Sequence, residues 1–336
     1  MNRIFFILMM ALLFSACNTQ EKKEVAESND NKDIEGSMTA FDSLNMQIKN
    51  KPNAPSLYNK RANMFLMAGE VNAALSDVNK ALQLDTLNAA TWITLSDIYF
   101  AKERFVDSRQ VLLKVLAMAP NNTDAMIKLA RLHLIYRDYK MLNKYVDEAL
   151  AIDPLLEEAH FIKATAYAEQ GDTVSAVYTY QKVVDINPNF YDAWIELGRI
   201  SEAKDNSLAE QYFLNALNID TNNTHALYIM ALYYQNAHDF NTAEQYYTSL
   251  LNKSENEYAY FNMGYINLVY LKDYKKAIIF FQKAINVNPD YYDALFNLAY
   301  SLELSGDLTD ARLKYKELLA KVPNHEGAIE RLNTMR

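Results

Sequence analysis

Apolar residues in this chain follow two rhythms. Over a dozen positions they fall three and four apart, the spacing of one helical face. Over longer distances the same small and large residues return every 34 positions or so. Residues 180–198 and 281–299 show this most plainly. Both carry Asn-Pro (Asn187-Pro188, Asn288-Pro289) and then Tyr-Asp-Ala (Tyr191-Asp192-Ala193, Tyr292-Asp293-Ala294), and the second stretch starts 101 residues after the first. Each reads as the end of one helix, a proline break and the start of the next. A period of this size means a row of two-helix units, each burying its apolar face against its neighbours.

Setting the proline at position 32 and small residues at positions 8 and 20 gives eight repeats: 55–88, 89–122, 123–156, 157–190, 191–223, 224–256, 257–291 and 292–325. Small residues lie where the two helices of a repeat cross, and large ones at positions 4, 7, 11 and 24 fill the remaining space. Proline cannot continue the preceding helix and is tolerated where the next begins. Pro52, Pro120, Pro154, Pro188, Pro289 and Pro323 all fall at that break. Asp138, Asp172, Asp239, Asp273 and Asp307 fall in the turn inside a repeat, where a carboxylate caps the second helix.

The pattern is carried by Trp92, Leu95, Tyr99 and Pro120, by Ala164, Tyr167, Gly171, Ala176, Tyr180 and Pro188, and by Leu298, Ala299, Gly306, Ala311, Tyr315 and Pro323. It resembles the tetratricopeptide repeat. The resemblance implies an all-α fold, a right-handed α-solenoid of about eight helix-turn-helix repeats with capping half-repeats, over residues 38–336. Met38 to Lys51, with Ala40 and Leu44 in register, is expected to be a lone second helix. The cap helix 326–336 is expected to turn Ile329 and Leu332 inward and Arg331 and Arg336 outward. The regularity falters at 205–275: the fifth repeat is a residue short near Asp205-Asn206, the sixth lacks its proline around Ser254-Glu255, and the seventh has an extra residue. Altered local packing is expected there.

The first forty residues depart from this rhythm. Arg3 is followed by an apolar run, Ile4 to Phe14, too short to span a bilayer and the size of a signal-peptide core. Phe14-Ser15-Ala16-Cys17 then resembles the lipobox of bacterial lipoproteins. That resemblance implies a signal peptide at 1–16, cleavage after Ala16, and lipidation of Cys17 on its sulfur and its new amino group. Phe14 departs from the family's usual Leu. Asn18, where Asp would retain an enterobacterial lipoprotein in the inner membrane, resembles an outer-membrane address facing the periplasm, with the cell surface as the alternative. Residues 18–37 are charged and nearly free of apolar side chains, and read as a tether between the lipidated cysteine and the repeats.

Composition narrows the chemistry. There are 7 Gly and 7 Pro in 336 residues, few breakers for so long a chain. The net charge of −9 argues against a nucleic-acid partner. The single cysteine leaves no intramolecular disulfide and no cysteine metal cluster. His133, His160, His225, His238 and His325 never fall three or four apart, so no helix carries a paired-histidine metal site. No Gly-rich phosphate loop and no Gly-x-Ser-x-Gly occurs. The expectation is no catalytic residue, no metal and no cofactor.

In the family that the repeats resemble, positions 2, 5, 9 and 12 of the first helices line a partner-binding groove. Here the earlier repeats place Asn59, Asn63, Asp97, Arg131 and Arg199 there, whereas repeats 6 to 8 place Tyr228, Leu232, Phe261, Tyr265, Phe296 and Tyr300. Aromatic rings bring large contact area at small entropic cost. The stripe is a candidate docking surface, or else it packs on itself, on neighbouring second helices or on the cap helix. The family's carboxylate clamp does not carry over, since Asp124 stands where a base is needed. The expected function is a non-catalytic scaffold or adaptor in an envelope assembly of a Gram-negative bacterium, meeting other envelope proteins through the groove and the membrane through Cys17. The alternative is a lipoprotein that captures peptide or glycan.

Overall fold

The computed structural model describes residues 40–335; the leader, Cys17 and the tether lie outside them. The described residues form eighteen α-helices and no strand. They divide into two compact units, one ending at Asn187 and one starting at Pro188.

Unit 1 opens with a lone helix, α1 (Ala40–Asn50), and continues in four pairs: α2 (Pro55–Met67) with α3 (Val71–Leu84), α4 (Ala89–Ala101) with α5 (Phe105–Met118), α6 (Thr123–Ile135) with α7 (Tyr139–Ile152), and α8 (Glu157–Glu169) with α9 (Thr173–Ile186). Unit 2 has α10 (Tyr191–Glu202) with α11 (Ala209–Ile219), α12 (Thr224–Asn236) with α13 (Phe240–Leu251), α14 (Glu257–Tyr265) with α15 (Tyr274–Val287), α16 (Tyr292–Ser305) with α17 (Leu308–Lys321), and the lone α18 (Glu326–Thr334). Each unit is an α-solenoid of helix-turn-helix pairs.

Complementary sizes at the crossing hold each pair together. Ala62 and Ala74, Ala164 and Ala176, Ala231 and Ala243, and Ala299 and Ala311 are fully buried where their helices meet. In the second repeat the pair is Ser96 and Ser108, whose hydroxyls share a buried hydrogen bond of 2.8 Å. The third repeat departs from small-on-small: Leu142 is fully buried opposite Ala130. At position 24 large side chains fill the gap between the pair. Tyr180, Tyr247 and Tyr315 are fully buried, and their hydroxyls reach Thr165 (3.0 Å), Gln235 (2.8 Å) and Glu303 (2.9 Å). Phe213 and Phe281 take the same place opposite glycine. A Cβ on Gly198 would stand 2.3 Å from the Phe213 ring, and one on Gly264 2.8 Å from Phe281.

The turn inside each repeat is built one way throughout. Gly69, Glu103, Arg137, Gly171, Asp205, His238, Lys272 and Gly306 all have positive φ. In five repeats the next residue is an aspartate that caps the second helix: Asp138, Asp172, Asp239, Asp273 and Asp307 accept from the backbone N–H three residues on, at 3.0–3.2 Å.

The irregular stretch has three distinct causes. After Asp205 the next residue is Asn206, which accepts from Leu208 N–H, and α11 begins only at Ala209. α13 ends early, at Leu251, without a proline. The extra residue of the seventh repeat is absorbed as a π turn, Ile266–Tyr270, with Leu271 N–H bonded to the Ile266 carbonyl at 3.0 Å. Asn267, fully buried there, donates from Nδ2 to the Met263 carbonyl (2.8 Å) and to Glu244 Oε1 (2.9 Å).

Two terminal expectations need correcting. In α1 the buried residues are Leu44 and Ile48, while Ala40 is exposed because no described helix crosses it. In α18 the inward stripe is Ala328, Leu332 and Met335; Ile329 is 41% exposed, and Arg331 points onto the first-helix face. Gly327 sets this face, since its missing side chain lets Phe296 approach within 3.0 Å of where a Cβ would stand.

Candidate functional site

The six predicted groove residues lie on α12, α14 and α16 of unit 2, and all are half-buried. Each ring leans on a neighbour and keeps part of itself open. Tyr228 lies edge-on to Tyr247, with centroids 6.0 Å apart, and its hydroxyl accepts from Asn262 Nδ2 at 3.1 Å. Phe261 lies 5.5 Å from Phe281 of α15, 5.0 Å from Tyr291 and 6.4 Å from Tyr265. Tyr265 in turn meets Tyr270 of the π turn at 6.1 Å, and Tyr270 stacks on Phe240 at 4.5 Å. Phe296 stacks on His325 at 4.9 Å and meets Tyr315 at 5.8 Å. Tyr300 lies under the Arg331 guanidinium, 4.4 Å from its ring centre, while Arg331 also pairs with Glu303 at 3.3 Å. The eighth-repeat rungs are thus covered by the cap helix on one side.

Three further residues belong to this face. Asn262 bridges two tyrosines, donating also to the Tyr247 hydroxyl at 3.0 Å. Tyr258 and Tyr291 meet edge-on at 5.7 Å. Position 2 of the seventh repeat was the available signal for Tyr258; Tyr291 precedes its helix and has no such register.

At the other end of unit 2 lies a polar group. The Tyr191 hydroxyl and His225 Nδ1 share a hydrogen bond of 2.7 Å, and Arg199 pairs with Glu196 at 3.1 Å. Burial, helped by the Arg199 charge, pulls the His225 imidazole down to about 4, so the ring is neutral at physiological pH. Burial holds the Glu196 carboxyl above the ordinary range despite Arg199.

The corresponding face of unit 1 is closed by polar links between successive first helices. Thr94 donates to Asn63 at 3.3 Å, Lys128 pairs with Asp97 at 2.8 Å, and Arg131 pairs with Glu158. Burial keeps the Asp97 carboxyl raised even beside Lys128. Asn59 Oδ1 is buried without a hydrogen-bond partner. Among the described residues no group of three or more His, Cys, Asp or Glu is placed to hold a metal ion. No described helix is long and apolar enough to cross a membrane.

Models of the tetratricopeptide repeat match residues 158–189, 257–291 and 280–313. Anaphase-promoting complex subunit 3 of Schizosaccharomyces pombe is 22% identical over 187 residues, covering 55% of this chain and 28% of that protein. A tetratricopeptide-repeat-containing protein of Methanocaldococcus jannaschii is 21% identical over 308 residues, covering 81% of this chain and 53% of that one. The chain therefore spans between about a quarter and about half of these relatives' lengths. Among solved structures, the C-terminal part of a repeat protein from Cytophaga hutchinsonii gives a TM-score of 0.60 at 20% identity, covering 71% of this chain and 98% of that one. The Cut9–Hcn1 hetero-tetramer of the anaphase-promoting complex gives 0.52 at 17% identity, covering 88% and 58%. These structures are similar to this chain in fold.

Proposed function

The chain belongs to the tetratricopeptide-repeat family, and from that premise we propose that it is a non-catalytic scaffold, held at the outer membrane of a Gram-negative bacterium by lipid on Cys17. Proteins of this repeat are generally protein-interaction scaffolds. One observation carries the reading to particular residues: three successive first helices of unit 2 present half-open aromatic and apolar side chains, Tyr228 and Leu232, Phe261 and Tyr265, Phe296 and Tyr300. A partner segment lying across them buries surface already ordered by its own packing, so little entropy is lost on binding. The polar face of unit 1 offers less, because its charges are already satisfied by each other.

The membrane part rests on the residues before the repeats. Phe14-Ser15-Ala16-Cys17 resembles a lipobox, and two or three acyl chains hold a protein firmly, each buried methylene contributing about 0.8 kcal/mol. Envelope proteins are the partners this address implies.

Two experiments test the halves separately. Growth with radiolabelled palmitate should label the wild type and leave a Cys17→Ser variant unlabelled; an unlabelled wild type ends the lipoprotein reading. A crosslinked pull-down from detergent-solubilised membranes should recover an envelope partner with the wild type and lose it with Leu232→Ala, Tyr265→Ala, both proteins giving the same circular dichroism. Equal recovery by both removes the aromatic face from the proposal.

A further inference from the structure

The rings on the inner face of unit 2 stand on helices without cations of their own, and the guanidinium that reaches Tyr300 comes from α18. The first helices α12, α14 with its π turn, and α16 contain no lysine or arginine. Glu257 and Asp293, in contrast, stand in the first turns of α14 and α16. Neither has an ion-pair partner among the described residues. Between them three rings converge: Tyr258, 53% exposed, lies edge-on to Tyr291 at 5.7 Å, and Phe261 lies 5.0 Å from Tyr291 on another side. The Tyr291 phenol is pushed well above its ordinary range, first by burial and then by Asp293, Tyr228, Tyr258 and Glu257.

Ring faces carry partial negative charge and attract a cation within about 6 Å of the centroid. Carboxylates beside them add to that attraction and fix its direction. The first-turn position of Glu257 and Asp293 also favours their helices through the dipole, so stability and binding must be measured apart.

The chain supplies its own example of the same chemistry one repeat further on. Arg331 lies over Tyr300 at 4.4 Å and bonds Glu303 at 3.3 Å, a guanidinium held between a tyrosine face and a carboxylate of the first helix. At α14 the rings and carboxylates are present, and no arginine or lysine of the described chain pairs with those carboxylates.

We propose that Tyr258, Phe261 and Tyr291, together with Glu257 and Asp293, receive an arginine or lysine side chain of a protein partner, so that the segment bound along the inner face of unit 2 is basic. This rests on the scaffold reading and names the chemistry of the partner. The acidic surface of the whole chain, net charge −9, favours the approach of such a segment over an acidic one.

The test uses the full chain in detergent micelles and fluorescein-labelled peptides of alternating residues, (Arg-Leu)4 and (Gln-Leu)4, read by anisotropy. The arginine peptide should bind about tenfold tighter or better, the effect of a cation–π contact joined to an ion pair. The double variant Glu257→Gln, Asp293→Asn should lose that preference while keeping its affinity for the glutamine peptide. Tyr258→Leu, at an exposed position, should weaken the arginine peptide severalfold without lowering the thermal midpoint, and stands in if the double variant melts early. Equal binding of the two peptides overturns the inference and leaves the scaffold reading standing on the apolar stripe. A double variant that retains the preference overturns it as well, by sending the cation elsewhere. If neither peptide binds, the inference falls, and the scaffold reading stands or falls on the membrane pull-down.

Discussion

Glycine at the helix crossing and the ring opposite it form one size-matched unit. In unit 2, Phe213 lies over Gly198 and Phe281 over Gly264, while Tyr247 and Tyr315 lie opposite Ala231 and Ala299. Gly198→Ala should therefore destabilise unit 2 by about 1–3 kcal/mol through overpacking. Chemical denaturation should show it, and adding Phe213→Leu should restore part of the loss; equal stability of Gly198→Ala and wild type would refute the size argument. A second prediction concerns His225. The folded state keeps its ring neutral down to about 4, whereas an unfolded chain protonates it near 6.5. Between those values the unfolded state binds more protons, so stability falls as pH falls through that window, by about 3 kcal/mol in all. Burial shifts His133 and His160 in the same direction. A proton NMR titration of His225 should give a midpoint near the lower value; a midpoint near 6.5 would mean that the ring is solvated.

Helix boundaries and crossing residues were legible because size and period fix them: wherever a repeat is regular, small residues recur at positions that only close backbones require. The turn geometry was not legible. Gly69, Gly171 and Gly306 hint at positive φ, but Glu103, Arg137, His238 and Lys272 adopt it too, imposed by two packed helices and not by residue type. The seventh repeat shows the same limit. Its extra residue was countable, but not that it becomes a π turn at the end of the first helix, where the buried Asn267 amide bonds the Met263 carbonyl. Asn267→Ala should cost about 1–3 kcal/mol, because it strips that carbonyl and Glu244 of a buried donor; an unchanged thermal midpoint would show that the turn does not need it. The delayed start of α11 makes a separate prediction. Amides at 203–209 should exchange faster than those at 69–75, where α3 begins two residues after the positive-φ glycine; equal protection would show that the longer turn is as firmly held.

Across the whole molecule, the two units spend the same helix positions differently. Unit 1 closes its first-helix face with ion pairs and a hydroxyl link, and unit 2 leaves rings half-open. The stripe itself could be read from positions 5 and 9 of the repeats. Which rungs are covered could not, because Tyr291 and His325, which cover Phe261 and Phe296, sit in the turns before their helices. The orientation of Arg331 was misread for a related reason: the buried stripe of α18 is Ala328, Leu332 and Met335, which turns Arg331 onto Tyr300. The central claim is that the inner face of unit 2 is the working surface. It is tested most directly by placing a photo-crosslinking amino acid at Tyr265, on that face, and separately at Tyr178, which is 75% exposed on α9 of unit 1. The account predicts a partner crosslinked in cells from position 265 and none from position 178. A partner captured from 178 and not from 265 would contradict it.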